Sequence, residues 1–184
     1  MILAALVFIR KVTATTTISR VTPKYLEESK LHVLQDKEIP PYATVFRIHG
    51  PFLFGAADKI DELVEQIPEL PPIVILRLRN MTAIDATGLL ALEHLADRIH
   101  SSGRALILCG AREQPQRLMK QSEFEEHVGA ENICANVTEA LARARALYPE
   151  IAEKAPPVQH WGRRSTDHAS ASEEAAATAV SSRD

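Results

Sequence analysis

Pro72-Ile73-Val74-Ile75-Leu76-Arg77-Leu78-Arg79, followed by Asn80-Met81-Thr82-Ala83-Ile84-Asp85-Ala86-Thr87-Gly88-Leu89, is the stretch that decides the fold. Its first part, 73–79, is a near-continuous apolar run rich in β-branched residues, which is typical of a strand covered on both faces. Its last part begins an amphipathic helix, so together they predict a buried strand that turns into a helix. Asp85 or Thr87 can cap that helix, because a short oxygen-bearing side chain accepts a hydrogen bond from a first-turn N–H group.

The hydroxyl of Thr87 falls at the start of this predicted helix. A phosphate there would lie among unpaired N–H groups and near the positive end of the helix dipole. The neighbouring Asp85 would repel it, so phosphorylation of Thr87 could act as a switch. The alternative is that Asp85 and Thr87 are capping residues and nothing more, since caps strongly favour these residue types.

The rest of the chain alternates strand and helix patterns, which predicts an α/β sheet with right-handed crossovers. Two antiparallel strands are expected around Pro40-Pro41, and an amphipathic helix after them carries its apolar residues at helical spacing. The predicted elements are strands at 31–34 and 44–48, the helix carrying Ile60, Leu63, Val64 and Ile67, a strand at 105–109, a helix at 114–121, an edge strand at 131–134 and a helix at 137–147.

Composition and motifs argue against several classes of function. The chain has 184 residues and a formal net charge of −3, without a Lys/Arg-rich block interleaved with aromatic residues, so nucleic-acid binding is not expected. It has no G-x-S-x-G, P-loop or glycine-rich dinucleotide motif, and no catalytic residue is predicted. Cys109 and Cys134 lack paired spacing and the seven histidines lack i,i+4 spacing, which predicts buried reduced thiols and no metal site.

Four blocks of sequence resemble one family. Ile84-Asp85-Ala86-Thr87-Gly88-Leu89, preceded by 73–79, resembles the signature loop of STAS domains, the fold of anti-sigma factor antagonists and of the cytoplasmic C-terminal domains of SulP anion transporters. Arg47-Ile48-His49-Gly50-Pro51-Phe52-Leu53-Phe54-Gly55 is similar to the R-I-x-G-P-L-F-F-G block of the transporter branch. Residues 106–110 are similar to its fourth strand and 126–133 to its late G-x-E-N-I turn, so the resemblance runs from about Leu31 to Leu147.

The resemblance implies a STAS fold, with a mixed sheet of four to five strands and about four to five helices. It implies a regulatory and scaffolding domain, not an enzyme, of a SulP-type transporter of sulfate, bicarbonate or dicarboxylates, at the cytoplasmic face of the membrane. Asp85, Ala86 and Gly88 would form the signature loop and helix cap. The alternative is a free-standing anti-sigma factor antagonist controlled by phosphorylation at Thr87, although the antagonists usually carry serine at that position.

The resemblance also implies partners and ligands. The membrane domain of the transporter is the expected partner. A regulatory protein, a kinase and a second copy of the chain in a homodimer are the alternatives. No cofactor is expected. Weak nucleotide binding near the signature loop stays open, because helix N-termini suit phosphates.

The N-terminus completes the predicted domain plan. Met1–Ile9 is almost wholly apolar and precedes Arg10-Lys11, so residues 1–11 are interpreted as the stump of a transporter's last membrane helix or as an apolar extension. A linker is predicted at 12–30, the STAS domain at 31–150 and a disordered tail at 151–184. On this plan, deletion of residues 1–20 leaves the unfolding of the domain nearly unchanged.

Overall fold

The computed structural model describes residues 16–21, 38–53 and 57–153. The strands are β1 (Thr17–Arg20), β2 (Ala43–Phe52), β3 (Ile73–Ile84), β4 (Ala105–Cys109) and β5 (Ile133–Cys134). The helices are α1 (Ala57–Gln66), α2 (Ala86–Ser101), α3 (Glu113–Gln121), α4 (Glu125–Val128) and α5 (Val137–Ala152), with 3-10 turns at Ile67–Glu69 and Ala130–Asn132. The predicted α/β class, with a mixed sheet and about five helices, is confirmed.

The strands form one mixed sheet in the order β1-β2-β3-β4-β5. β1 runs antiparallel to β2, whereas β2, β3, β4 and β5 run parallel. Each parallel pair is joined through helical segments, as parallel strands require. The carboxyl ends of the four parallel strands therefore meet at one edge of the sheet.

Helices cover both faces of the sheet, which explains the near-continuous apolar run in β3. On one face, α1 and α2 pack against alternate residues of the central strands, including Leu76 and Leu108. On the other face, α5 packs against Ile75 and Ile107. The stacked rings of Tyr42 and Tyr148, with centroids 3.9 Å apart, join the start of β2 to the end of α5.

β3 is longer than the predicted 73–79 and continues to Ile84. The additional residues pair with the carboxyl half of β2, where His49 opposes Asn80 and Phe52 opposes Ile84. Register shifts interrupt this ladder between Arg47 and His49 and between Gly50 and Phe52. The extension carries the strand directly to Asp85, so that the helix begins without an intervening loop.

The predicted linker at 12–30 is wrong for residues 17–20, because these form β1 in the sheet. Threonine and isoleucine favour strands, and the unpaired edge of β2 offers this segment a hydrogen-bonding partner. Thr16 adds a side-chain hydrogen bond to the carbonyl of Pro51, and Val21 is buried. The folded domain therefore includes residues before the predicted start at 31.

Other predicted segments lie outside the described residues. These are the apolar N-terminus at 1–11, the strand at 31–34 and the tail from 154 onward. The predicted start of the tail at 151 is wrong, because residues 151 and 152 belong to α5. Among the helices within 16–21, 38–53 and 57–153, none combines the length and apolar character needed to cross a membrane.

The sequence predicts that deletion of residues 1–20 leaves the unfolding of the domain nearly unchanged. Because β1 belongs to the sheet, we now expect a deletion that includes β1 to destabilise the domain. We expect deletion of residues 1–15 to preserve the free energy of unfolding, and deletion of 1–21 to lower it by about 2–4 kcal/mol, because buried Val21 and half-buried Ile18 are lost. Urea unfolding of both truncated proteins and the full chain, followed by circular dichroism, measures this. Equal midpoints for the two truncations would show that β1 adds nothing to stability.

Candidate functional site

The turn from β3 into α2 is the site to which the sequence points. Asp85 is the N-cap of α2, with extended backbone angles, and its Oδ1 atom accepts a hydrogen bond of 2.8 Å from the N–H of Gly88. The Asp85 carbonyl accepts the first helical hydrogen bond, from Leu89, at 2.9 Å. Of the two candidate caps, Asp85 therefore has this role, and Thr87 is the second residue of the helix.

Gly88 lies where no larger residue fits. A Cβ atom built at this position would lie 2.4 Å from the carbonyl oxygen of Phe52 and 2.8 Å from a carbon of the Phe52 ring. It would also lie 3.1 Å from the Ile84 side chain. The first turn of α2 can therefore approach the end of β2 only because residue 88 has no side chain.

Gln114, at the start of α3, holds the strand end in place. Its Oε1 atom accepts a 3.0 Å hydrogen bond from the N–H of Ile84, and its Nε2 atom donates a 2.8 Å bond to the Ile84 carbonyl. One side-chain amide thus satisfies both backbone groups of the last β3 residue. This pairing fixes the position of Asp85, the next residue.

These contacts turn the first residues of α2 outward. Ala86 and Thr87 are exposed, and Leu90, one turn further along, is 65 % exposed although it is a large apolar residue. We call Ala86, Thr87 and Leu90 the Thr87 surface. The N–H groups of Ala86 and Thr87 have no partner within the helix, because they belong to its first turn.

Asp85 gives the Thr87 surface a negative neighbour. One carboxylate oxygen bonds Gly88, while the other, Oδ2, is buried and has no hydrogen-bond partner among the described residues. A phosphate on the Thr87 hydroxyl would thus lie between unpaired N–H groups, which attract it, and a fixed carboxylate, which repels it.

Cys109, Cys134 and His127 belong to other elements than this turn, namely β4, β5 and α4. Burial raises the pKa of the Cys109 thiol to about 12, and the pKa of Cys134 is also raised, first by burial. Both thiols are free. The ring of His127 contacts Asp97 at 3.0 Å on the surface, which raises its pKa, and no cluster of metal-ligating side chains occurs within the described ranges.

Sequence reasoning missed Gln114, Phe52 and Leu90 as parts of this site. The clamp by Gln114 comes from a residue 30 positions beyond its partner, and no local pattern signals such a contact. Leu90 did carry a signal. It falls outside the apolar face that Leu89, Leu92 and Ile99 define, which predicts an exposed leucine.

Comparison with known proteins identifies the fold that carries this turn. The STAS domain family matches residues 34–140, more than half of the chain. The chain belongs to the STAS domain family. The residues of the Thr87 surface all lie within the matched range.

Relatives of this STAS domain include transporter proteins. The chain is 32 % identical to a sulfate transporter family protein from Wolinella succinogenes, covering 62 % of this chain and 94 % of that one, with a TM-score of 0.58. It is 27 % identical to the SulP transporter STAS domain from Vibrio cholerae, covering 61 % and 88 %, with a TM-score of 0.54. "Putative sulfate transporter YvdB" of Bacillus subtilis is 23 % identical over 133 residues, which are 72 % of this chain and 24 % of that protein. The chain therefore spans about a quarter of that curated relative.

Substitution of Gly88 tests the close approach of α2 to β2. In an open helix, Gly→Ala stabilises by roughly 1 kcal/mol. Here we expect Gly88→Ala to lower the free energy of unfolding by about 1–3 kcal/mol, because the added methyl group meets the Phe52 carbonyl. Ala86→Gly, at an exposed position of the same turn, is the control and should lose at most about 1 kcal/mol. Chemical denaturation measures both, and a stabilised Gly88→Ala protein would refute the packing described.

Because Asp85 caps α2 and Thr87 does not, substitutions of the two residues should differ in their effect on stability. We expect Asp85→Ala to cost about 1 kcal/mol of stability, because the N–H of Gly88 loses its acceptor. Thr87→Ala should cost less, because its side chain is exposed. Thermal unfolding of the two single variants compares them, and the reverse order would make Thr87 the more important residue for folding.

Proposed function

We propose that this STAS domain is the regulatory and scaffolding domain of a SulP-type anion transporter. It has no catalytic role and lies at the cytoplasmic face of the membrane, joined to the membrane domain. Sulfate, bicarbonate and dicarboxylates are the proposed classes of transported anion. The observation that carries the proposal is the likeness to the STAS domain of a SulP transporter, together with the 24 % share of a Bacillus subtilis transporter that the chain covers.

The Thr87 surface supports a role in binding a partner. It combines an exposed leucine, an exposed hydroxyl and first-turn N–H groups that have no partner within the helix, at a capped strand-to-helix turn. An exposed apolar side chain next to polar groups suits a protein interface. We therefore propose that this surface contacts the membrane domain or a regulatory protein.

Thr87 is the proposed regulatory residue. Phosphorylation would add about −1.5 to −2 charges at neutral pH. Its side chain is exposed, so a phosphate leaves the core packing of α2 unchanged. The charge would alter the potential of the Thr87 surface and hence its affinity for a partner. The second candidate function is a free-standing anti-sigma factor antagonist, which would be controlled by phosphorylation of the same residue. The exposure of Thr87 is the observation that favours testing this function.

A matched pair of variants tests this function. Thr87 in α2 and Thr138 in α5 are both exposed and both occupy the second position of a helix, after the caps Asp85 and Asn136. Thr87→Glu and Thr138→Glu therefore add the same charge at the same helix position, next to a carboxylate cap in α2 and an amide cap in α5. The binding measurement is co-purification of each protein with the detergent-solubilised membrane domain of a SulP transporter from the same genome.

We expect wild type and Thr138→Glu to co-purify with the membrane domain, and Thr87→Glu to do so at least tenfold less. Circular dichroism should show native folding for all three. Addition of the wild-type domain should change anion uptake by proteoliposomes that contain the membrane domain. If the wild-type domain neither binds nor alters uptake, the transporter function is wrong, and binding to an anti-sigma factor becomes the function to measure.

A further inference from the structure

The short helix α4 is held in the domain mainly by apolar burial. Phe124, just before it, is fully buried, and so is Val128, its last residue. Both belong to the core cluster that includes the buried face of α2. At the end of α4, the Nδ2 atom of Asn132 donates a 2.6 Å hydrogen bond to the Val128 carbonyl. These anchors place α4 against α2 and depend little on pH.

One polar contact joins the outer sides of the two helices. The Nδ1 atom of His127 in α4 lies 3.0 Å from the Oδ1 atom of Asp97 in α2. The two side chains are 37 % and 58 % exposed, so water reaches the pair and protons exchange with it freely. Among the described residues, no other hydrogen bond or ion pair between side chains joins α2 to α4.

The charged groups that face the His127 ring are carboxylates. Besides Asp97, they are Glu93 of α2 and Glu126 of α4. The strand packed against α4, Ala105–Cys109, has no charged side chain, and in the 3-10 turn that follows α4, Glu131 is paired with Arg143. In this group of side chains, His127 is the one that gains a positive charge near neutral pH.

Protonation strengthens the contact between the helices. A neutral His127 ring can donate Nδ1–H to Asp97 in an ordinary hydrogen bond, whereas the imidazolium makes a charge-assisted bond that is roughly twice as strong. The hydrogen bond with Asp97 raises the pKa of His127 most. Slight burial lowers this pKa, and the charges of Asp97, Glu93 and Glu126 raise it further.

We infer that His127 and Asp97 form a pH-sensitive clasp, which fastens α4 to α2 when the imidazole is protonated and loosens when it is neutral. The folded state binds the His127 proton more tightly than the unfolded chain does. The clasp therefore stabilises α4 fully below the ordinary pKa of histidine, about 6.5, and loses this stabilisation as the pH rises through the higher pKa of folded His127. This inference does not rest on the proposed transporter function, because both residues belong to this chain.

Opening of the clasp is expected to be local. Phe124 and Val128 stay buried when His127 loses its proton, because their packing involves no charge. The polar side of α4 is the part that gains freedom, in the segment that leads through the 3-10 turn to the two-residue edge strand β5. Hydrogen exchange detects such local openings separately from unfolding of the whole domain.

Proton NMR titration of the full chain, from about pH 5 to about pH 9, measures the pKa of His127. His127→Gln identifies the ring signal of His127 by removing it. We expect Asp97→Asn to weaken the binding of the proton by His127 at least threefold, because the amide keeps an acceptor oxygen and loses the charge. Asp61→Asn, at an exposed position on α1, is the matched control and should leave the pKa of His127 as in wild type.

Exchange of the Gly129 amide reports the opening of α4, because this amide donates a 2.7 Å hydrogen bond to the Glu125 carbonyl. Its protection factor, which corrects for the intrinsic effect of pH on exchange, should be at least twofold larger at about pH 6 than at about pH 8 in wild type. In Asp97→Asn and in His127→Gln, the two values should be equal. The amide of Ala105, which bonds the Pro72 carbonyl at 2.9 Å, is the reference for the rest of the domain.

Three results would overturn the clasp. The first is an unchanged pKa of His127 in folded Asp97→Asn. The second is equal protection of Gly129 at the two pH values in wild type, or a difference that persists in both variants. The third is an equal change at Ala105, which would assign the effect to the whole domain. Each is distinguishable from failure of the transporter function, which is measured by co-purification with the membrane domain.

Discussion

The contact of Gly88 with the end of β2 is the constraint on which the candidate site depends. The first turn of α2 lies against the carbonyl and ring of Phe52, at a distance that excludes even a methyl group. Within the same turn, the Asp85 carboxylate bonds the Gly88 N–H, and Ala86 and Thr87 are exposed. Gly88 therefore takes part both in the packing of α2 against β2 and in the cap, and its lack of a side chain lets the turn that exposes Thr87 lie against the sheet.

The sequence predicted this region well up to the end of the buried run. The β-branched residues of 73–79 and the apolar spacing of α2 are local patterns, and local patterns indicate strand and helix. Residues 80–84 remain in the strand because they pair with the extended end of β2, and because Gln114 bonds both backbone groups of Ile84. Such pairing depends on residues far along the chain, which explains why the strand end could not be predicted.

β1 was predicted as part of a linker, and this error has the same physical cause. Its four residues contain two polar side chains and one charged one, so composition favoured a linker. The segment forms a strand because β2 presents an open edge, and Ile18 packs at the margin of the core. A short edge strand gains its stability from its neighbour more than from its own propensity. Likewise, the pairing of Arg47 with Arg77 follows from register, which a single sequence does not supply.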